Sequence, residues 1–121
     1  MARATFLMGE PESLEGISVR KLVLETDKYN VITAHTGPET IDLFHKFPKV
    51  DAIILHAELK GMSCENLIEQ IRKESKEVSV YVLAPTDGYK CKGADKKVSS
   101  HDPQELLSML RADFPNRVKA S

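Results

Sequence analysis

Short apolar, β-branched runs alternate along this chain with stretches whose apolar residues recur every three to four positions. That alternation constrains the fold more than any other feature, because it is the pattern of βα repetition around a parallel sheet. The strand-like runs are Ala4–Met8, Asn30–Ala34, Asp51–His56, Val78–Ala84 and a short one around Lys97–Ser100. Asp51–His56 is almost uninterrupted in its apolar character, which is expected of a central strand covered on both faces. After the first run, Ser13 to about Asp27 reads as a helix with Gly16 in its first turns and Val19, Leu22 and Val23 on one face. Thr36-Gly37-Pro38-Glu39 supplies a cap, a breaker and a first-turn proline for a second helix. Thr40, Leu43, Phe44 and Phe47 follow at helical spacing, and Pro48 ends it.

Ser63 caps a third helix in which Cys64, Leu67, Ile68 and Ile71 share the apolar face. Asp102-Pro103-Gln104-Glu105 opens the last helix with a carboxylate cap and a proline at its first position. Leu107, Leu110 and Phe114 line it, and Pro115 stops it before a tail. The stretch from Pro85 to Ala94 is polar and glycine-punctuated, and no full helix fits there. Helices therefore follow the first three strands and the last. Right-handed crossovers place them on both faces of a doubly wound parallel sheet, with any site beyond the carboxyl ends of the strands.

At 121 residues with 41% apolar content, the chain fits one domain over 1–121 and can bury a core without disulfides or metal. No apolar run approaches the roughly 18–20 residues needed to cross a bilayer, so a membrane role is not expected. The first residues are not expected to act as an export signal, and Cys64 and Cys91 are expected to be free thiols in a reducing cytoplasm. The 17 Lys+Arg against 18 Asp+Glu give no field for nucleic acid. Lys90, Lys92, Lys96 and Lys97 cluster, but Asp87 and Asp95 lie among them without interleaved aromatics, which is the composition of a solvated loop.

Several strings, in order, resemble the receiver (CheY-like) domain of two-component response regulators, a flavodoxin-like fold with strand order 2-1-3-4-5. They are Tyr29–Ile41 at the second strand and second-helix start, and Asp51–Met62 at the third strand and its following loop. Gly93-Ala94-Asp95 precedes the fifth strand, and Asp102-Pro103-Gln104-Glu105-Leu106 opens the last helix. The resemblance covers nearly the whole chain and implies a phosphorelay signalling module of bacterial type. The interval from Ala84 to Gly93 is about two helical turns shorter than the family's, so its fourth helix is expected to be shortened or missing.

Carried over residue by residue, the family's phosphorylation site is dismantled. The phosphoacceptor aspartate matches His56. The paired Mg²⁺-binding acids match the stretch Met8-Gly9-Glu10-Pro11-Glu12, where Glu10 or Glu12 could serve but no adjacent pair exists; the hydroxyl residue ending the fourth strand matches Ala84, the lysine ending the fifth matches Ser100, and the aromatic switch residue matches Lys97. Phosphoryl transfer to a carboxylate needs the nucleophile, a cation on the phosphoryl oxygens and fixed donors for the developing charge. The resemblance therefore implies neither enzymatic activity nor a cofactor, with Mg²⁺ binding weak or lost.

His56 is the sharpest residue, since an imidazole at a strand end accepts phosphoryl groups, binds metals or titrates near neutrality. Its plainer role is to fill the aspartate slot and hydrogen-bond Glu10 or a loop carbonyl. Glu10, His56 and Glu58 are the candidate metal ligands, without a second histidine at ligand spacing. His35, His45 and His101 share no motif, and Met8, Met62 and Met109 read as packing residues. Ser100-His101-Asp102 cannot converge as a triad from neighbouring positions. The leading expectation is a phosphorylation-independent module that binds a protein partner through the shortened loop bearing Tyr89, Lys90, Cys91 and Lys92 or through the first helix, with homodimerisation open. The alternatives are a metal- or phosphoryl-binding switch centred on His56 and a flavodoxin-like small-ligand module.

Overall fold

The computed structural model describes residues 4–12, 16 and 18–115. Five strands, β1 (Thr5–Gly9), β2 (Asn30–Ala34), β3 (Ala52–His56), β4 (Ser79–Ala84) and β5 (Lys96–Ser99), form one parallel sheet in the order β2-β1-β3-β4-β5. Four helices, α1 (Val19–Thr26), α2 (Gly37–Lys46), α3 (Cys64–Glu74) and α4 (Pro103–Asp113), complete it. The expected doubly wound architecture is present, and residues 85–95, between β4 and β5, contain no helix.

Period-two alternation along the strands builds two cores. Leu7, Ile53, Leu55, Val80 and Val82 point to one side and pack with Ile41 and Phe44 of α2 and Leu67, Ile68 and Ile71 of α3. Phe6, Met8, Ile54, Tyr81, Leu83 and Val98 point to the other and pack with Leu24 of α1 and Leu106, Leu107 and Leu110 of α4. β3 is central, and its first four residues are buried, as its continuous apolar run requires. Met8 is fully buried, and Met62 and Met109 pack at the margins of the two cores.

The helix starts follow their caps. Thr36 Oγ1 accepts from Glu39 N, Ser63 Oγ from Asn66 N, and Asp102 Oδ1 from both Gln104 N and Glu105 N, each at 3.1 Å. The first helix departs from expectation. It is capped by Ser18, whose Oγ accepts from Lys21 N, and begins at Val19. Ser13, the expected start, lies outside the described residues, as does the tail beyond Pro115. Gly16 precedes the helix at φ +73°, a left-handed conformation that a helix excludes. Its buried residue is Leu24, while Val19 and Leu22 are each 58% exposed, so the expected Val19-Leu22-Val23 face is mostly outward. Phe47 likewise lies past α2 and is exposed.

The cysteines overturn the free-thiol expectation. Cys64 and Cys91 form a disulfide with Cα atoms 6.0 Å apart, joining the first turn of α3 to the loop that stands in place of a helix. Asp95 fixes the far end of that loop. Its Oδ2 accepts from Val80 N at 2.7 Å and from Arg72 Nη2 at 2.8 Å, and Arg72 also donates to the Val78 carbonyl. Gly93, at φ +98°, passes so close to Ile68 that a Cβ would sit 3.0 Å from its methyl. These contacts give the Gly93-Ala94-Asp95 string its structural sense.

Candidate functional site at the carboxyl ends of the strands

Gly9, Glu10, His56, Ala84 and Ser100 all fall at the carboxyl ends of β1, β3, β4 and β5, where the topology predicts a cleft. Each is tied to its neighbours by the sheet's own bonds. Glu10 N donates to the Ala34 carbonyl at 3.0 Å, and Ser100 N to the Ala84 carbonyl at 2.8 Å. Ala84 and Ser100 are buried, and neither supplies a positive charge.

Glu10 is 3% exposed, and its carboxylate is met by Arg20 of α1, whose Nε donates to Oε1 at 2.8 Å. The same guanidinium donates through Nη1 to the Ser100 carbonyl at 2.9 Å. Arg20 thus spans the cleft from the end of β1 to the end of β5. Sequence reasoning missed it, because an arginine in the first turns of an amphipathic helix looks like a solvated residue. The available signal was in the resemblance, which places no lysine at Ser100 while leaving an acid at Glu10, a carboxylate in need of a cation.

His56 is half-buried at the end of β3. Contrary to the expectation from the sequence, its ring bonds neither Glu10 nor a carbonyl among the described residues. Instead Nδ1 accepts a hydrogen bond from the Glu58 backbone N–H at 3.0 Å. An acceptor Nδ1 is unprotonated, so the neutral ring carries its proton on Nε2. Burial, followed by the Arg20 charge, pushes the imidazole below the ordinary histidine range against the smaller opposing effects of Glu58 and Glu10. The ring is neutral, and its one lone pair is engaged.

A second acid at the position before Glu10 would have to displace packed side chains. A Cβ on Gly9 would lie 2.6 Å from Thr40 Oγ1 and 2.9 Å from a Leu59 methyl, and Thr40 is itself held by its bond to the Thr36 carbonyl. Glu58 is exposed on the turn after β3. Of the other histidines, His101 is near enough for its charge to disfavour protonation of the His56 ring. His35 Nδ1 donates to the Glu10 carbonyl at 3.2 Å, His45 pairs with Glu74 at 2.8 Å, and His101 is exposed.

The second candidate region is the loop after β4. Lys90 and Lys92 are exposed, whereas Tyr89 is partly buried against the α3 side of the core. Lys97 donates to the carbonyls of Asp87 and Tyr89, which fastens the loop from β5. Lys96 pairs with Asp113 at 2.6 Å, and Lys92 N donates to Glu65 at 3.3 Å. An open groove of about 430 Å³ lies here, lined by Glu65, Tyr89, Cys91 and the four lysines.

No protein-family model matches the chain, and no curated protein sequence does. Solved structures do match. A response regulator receiver domain from Clostridium thermocellum superposes with a TM-score of 0.76 at 20% identity, covering 90% of this chain and 92% of that one. The chemotaxis protein CheY4 of Vibrio cholerae gives 0.75 at 23% identity, over 92% and 98%. The fold is that of a receiver domain. The receiver domain of the sensor histidine kinase PA1611 of Pseudomonas aeruginosa, solved with a magnesium ion coordinated in its active site cleft, gives 0.79 at 18% identity, over 92% and 97%.

Magnesium does not suit the donors present here. It demands near-octahedral oxygen ligands and leans on carboxylates and retained water. Of the candidates, Glu10 is committed to Arg20, His56 Nδ1 to a backbone N–H, and Gly9 offers no side chain. Among the described residues, no group of three or more His, Cys, Asp or Glu side chains converges as a metal site. No helix among them is long and apolar enough to cross a membrane.

Proposed function

We propose that this chain is a receiver-like module of a two-component type signalling system that works by binding a protein partner, independently of phosphorylation and without catalysis of its own. The observation that carries this reading is the strand-end cleft. Where a receiver would present a carboxylate nucleophile, His56 presents a neutral ring whose Nδ1 lone pair is engaged by Glu58 N–H, and the remaining acid, Glu10, is already neutralised by Arg20. Neither ring nitrogen offers a free lone pair to a phosphoryl donor, which also weighs against a switch built on His56. The cytoplasmic placement now rests on the receiver resemblance alone, since Cys64 and Cys91 are paired.

The partner surface proposed is the loop after β4 with its groove. Lys90 and Lys92 are its exposed charges, and the disulfide, Lys97 and Asp95 hold the loop in one shape. A preformed surface loses less conformational entropy on binding. The test is capture of proteins from the native host by the wild type and by a Lys90→Glu/Lys92→Glu variant, quantified by mass spectrometry. The variant should lose at least about tenfold of the protein that the wild type enriches, with an unchanged unfolding midpoint. Equal capture by both refutes this surface.

A further inference from the structure

We propose that Arg20 is the resident cation of the strand-end cleft: its guanidinium, tethered to α1, holds the position from which a divalent ion would neutralise Glu10, and so keeps the cleft charge-balanced and closed to metal. The inference rests on the signalling reading above only in taking this cleft as the counterpart of a receiver's.

The capped start of α1 sets the geometry. Because Ser18 is the cap, Arg20 falls in the first turn, over the carboxyl ends of the strands. From there the side chain makes two directed bonds to two separate strand ends, Nε to Glu10 after β1 and Nη1 to the Ser100 carbonyl after β5. β3 and β4 lie between those strands in the sheet, so the guanidinium crosses the width of the cleft. A planar fork makes such a pair of bonds, and a lysine ammonium does not reproduce it.

Burial makes the cation necessary. Glu10 is 3% exposed, and removing the partner of a buried charge is strongly unfavourable. A divalent ion and the guanidinium would compete for the same carboxylate, whose Oε1 the guanidinium already holds. The guanidinium has the advantage of being intramolecular, and its Ser100 bond holds it in place when no metal is present. Its charge also reaches His56, at the end of β3 between those two strand ends, where it disfavours a further positive charge.

The test is Mn²⁺ titration of the ¹⁵N-labelled protein, read as paramagnetic broadening of the backbone amide signals of Glu10, His56 and Ser100. The wild type should show no site-specific broadening at these amides. Arg20→Ala should show it saturably, with an apparent Kd at least about tenfold below any weak wild-type binding, and the Glu10→Gln/Arg20→Ala double variant should lose it again. If Arg20→Ala fails to fold, the shorter, neutral Arg20→Gln, which removes the charge and keeps an amide donor, should show the same gain. Saturable broadening at Glu10 in the wild type overturns the proposal, as does its absence in every folded Arg20 variant. Partner capture through Lys90 and Lys92 uses other residues and another readout, so either claim can fail while the other stands.

Discussion

Reducing the Cys64–Cys91 disulfide should lower the stability of the whole domain, and the magnitude follows from the chain it closes. The two cysteines are 27 residues apart, and the loop contains α3 and β4. On the chain-entropy model, a cross-link of that span restricts the unfolded ensemble by about 3.5 kcal/mol at 25 °C. The native state should change little. The loop after β4 keeps the Lys97 bonds to Asp87 and Tyr89, the Lys92 N–H bond to Glu65 and the Asp95 clamp on Val80 and Arg72. For a domain of 121 residues, an unfolding entropy of about 2.1 cal/mol/K per residue gives about 4 °C per kcal/mol. The reduced protein should therefore unfold about 10–15 °C lower than the oxidised one. The assay is calorimetry or thermal circular dichroism of both forms, with the redox state set by intact mass and Cys64→Ser/Cys91→Ser as the reductant-free control. Equal midpoints, or a wild-type mass with two free thiols under non-reducing purification, would refute the reasoning.

The remaining predictions concern the cleft. Gly9→Asp, which would restore an acid at the first position of the family's pair, should cost about 1–3 kcal/mol in urea unfolding, because its Cβ meets Thr40 and Leu59 of a packed core. Since the folded protein holds the His56 ring below its ordinary range, the unfolded chain binds more protons over that interval. His56 should thus contribute a loss of stability as pH falls from about 6.5 to its lowered native value. His56→Asn, whose side-chain oxygen can still accept from Glu58 N–H, should flatten that part of the stability profile, and an unchanged slope would argue against the neutral ring. Arg20→Met should cost about 3 kcal/mol by leaving Glu10 buried without its partner, measured by urea unfolding at neutral pH; a loss within the range of an exposed surface substitution would contradict the pairing.

Much of the fold was legible because its signals are local. The Asp51–Leu55 run reads as central since both faces of β3 are buried, and the caps at Thr36, Ser63 and Asp102 sit where their residue types place them. The loop without a helix was legible from the polar, glycine-rich interval after Ala84. What escaped depends on contacts between distant residues. The Ser18 cap of α1 was not legible, because the packing of Leu24 and the reach of Arg20 to Glu10 are contacts between distant residues. The disulfide needs the loop to fold back on α3, a matter of distance that spacing does not encode.

The strand-end residues were legible as departures from the family's pattern, yet their arrangement was not. His56 was expected to turn toward Glu10, but Glu10 already has a stronger, charged partner in Arg20, so the ring bonds the turn that follows it. Tyr89, expected as part of an exposed partner surface, is drawn in beside Cys91 and the α3 side of the core, which leaves Lys90 and Lys92 as the outward charges.

The most direct test of phosphorylation independence is addition of beryllofluoride with Mg²⁺ to the ¹⁵N-labelled wild type, followed at the amides of Glu10, His56, Ala84 and Ser100. With no carboxylate nucleophile and Glu10 held by Arg20, these signals should stay in place throughout the titration. Saturable shifts confined to them would show a working phosphoryl-type site and contradict the account.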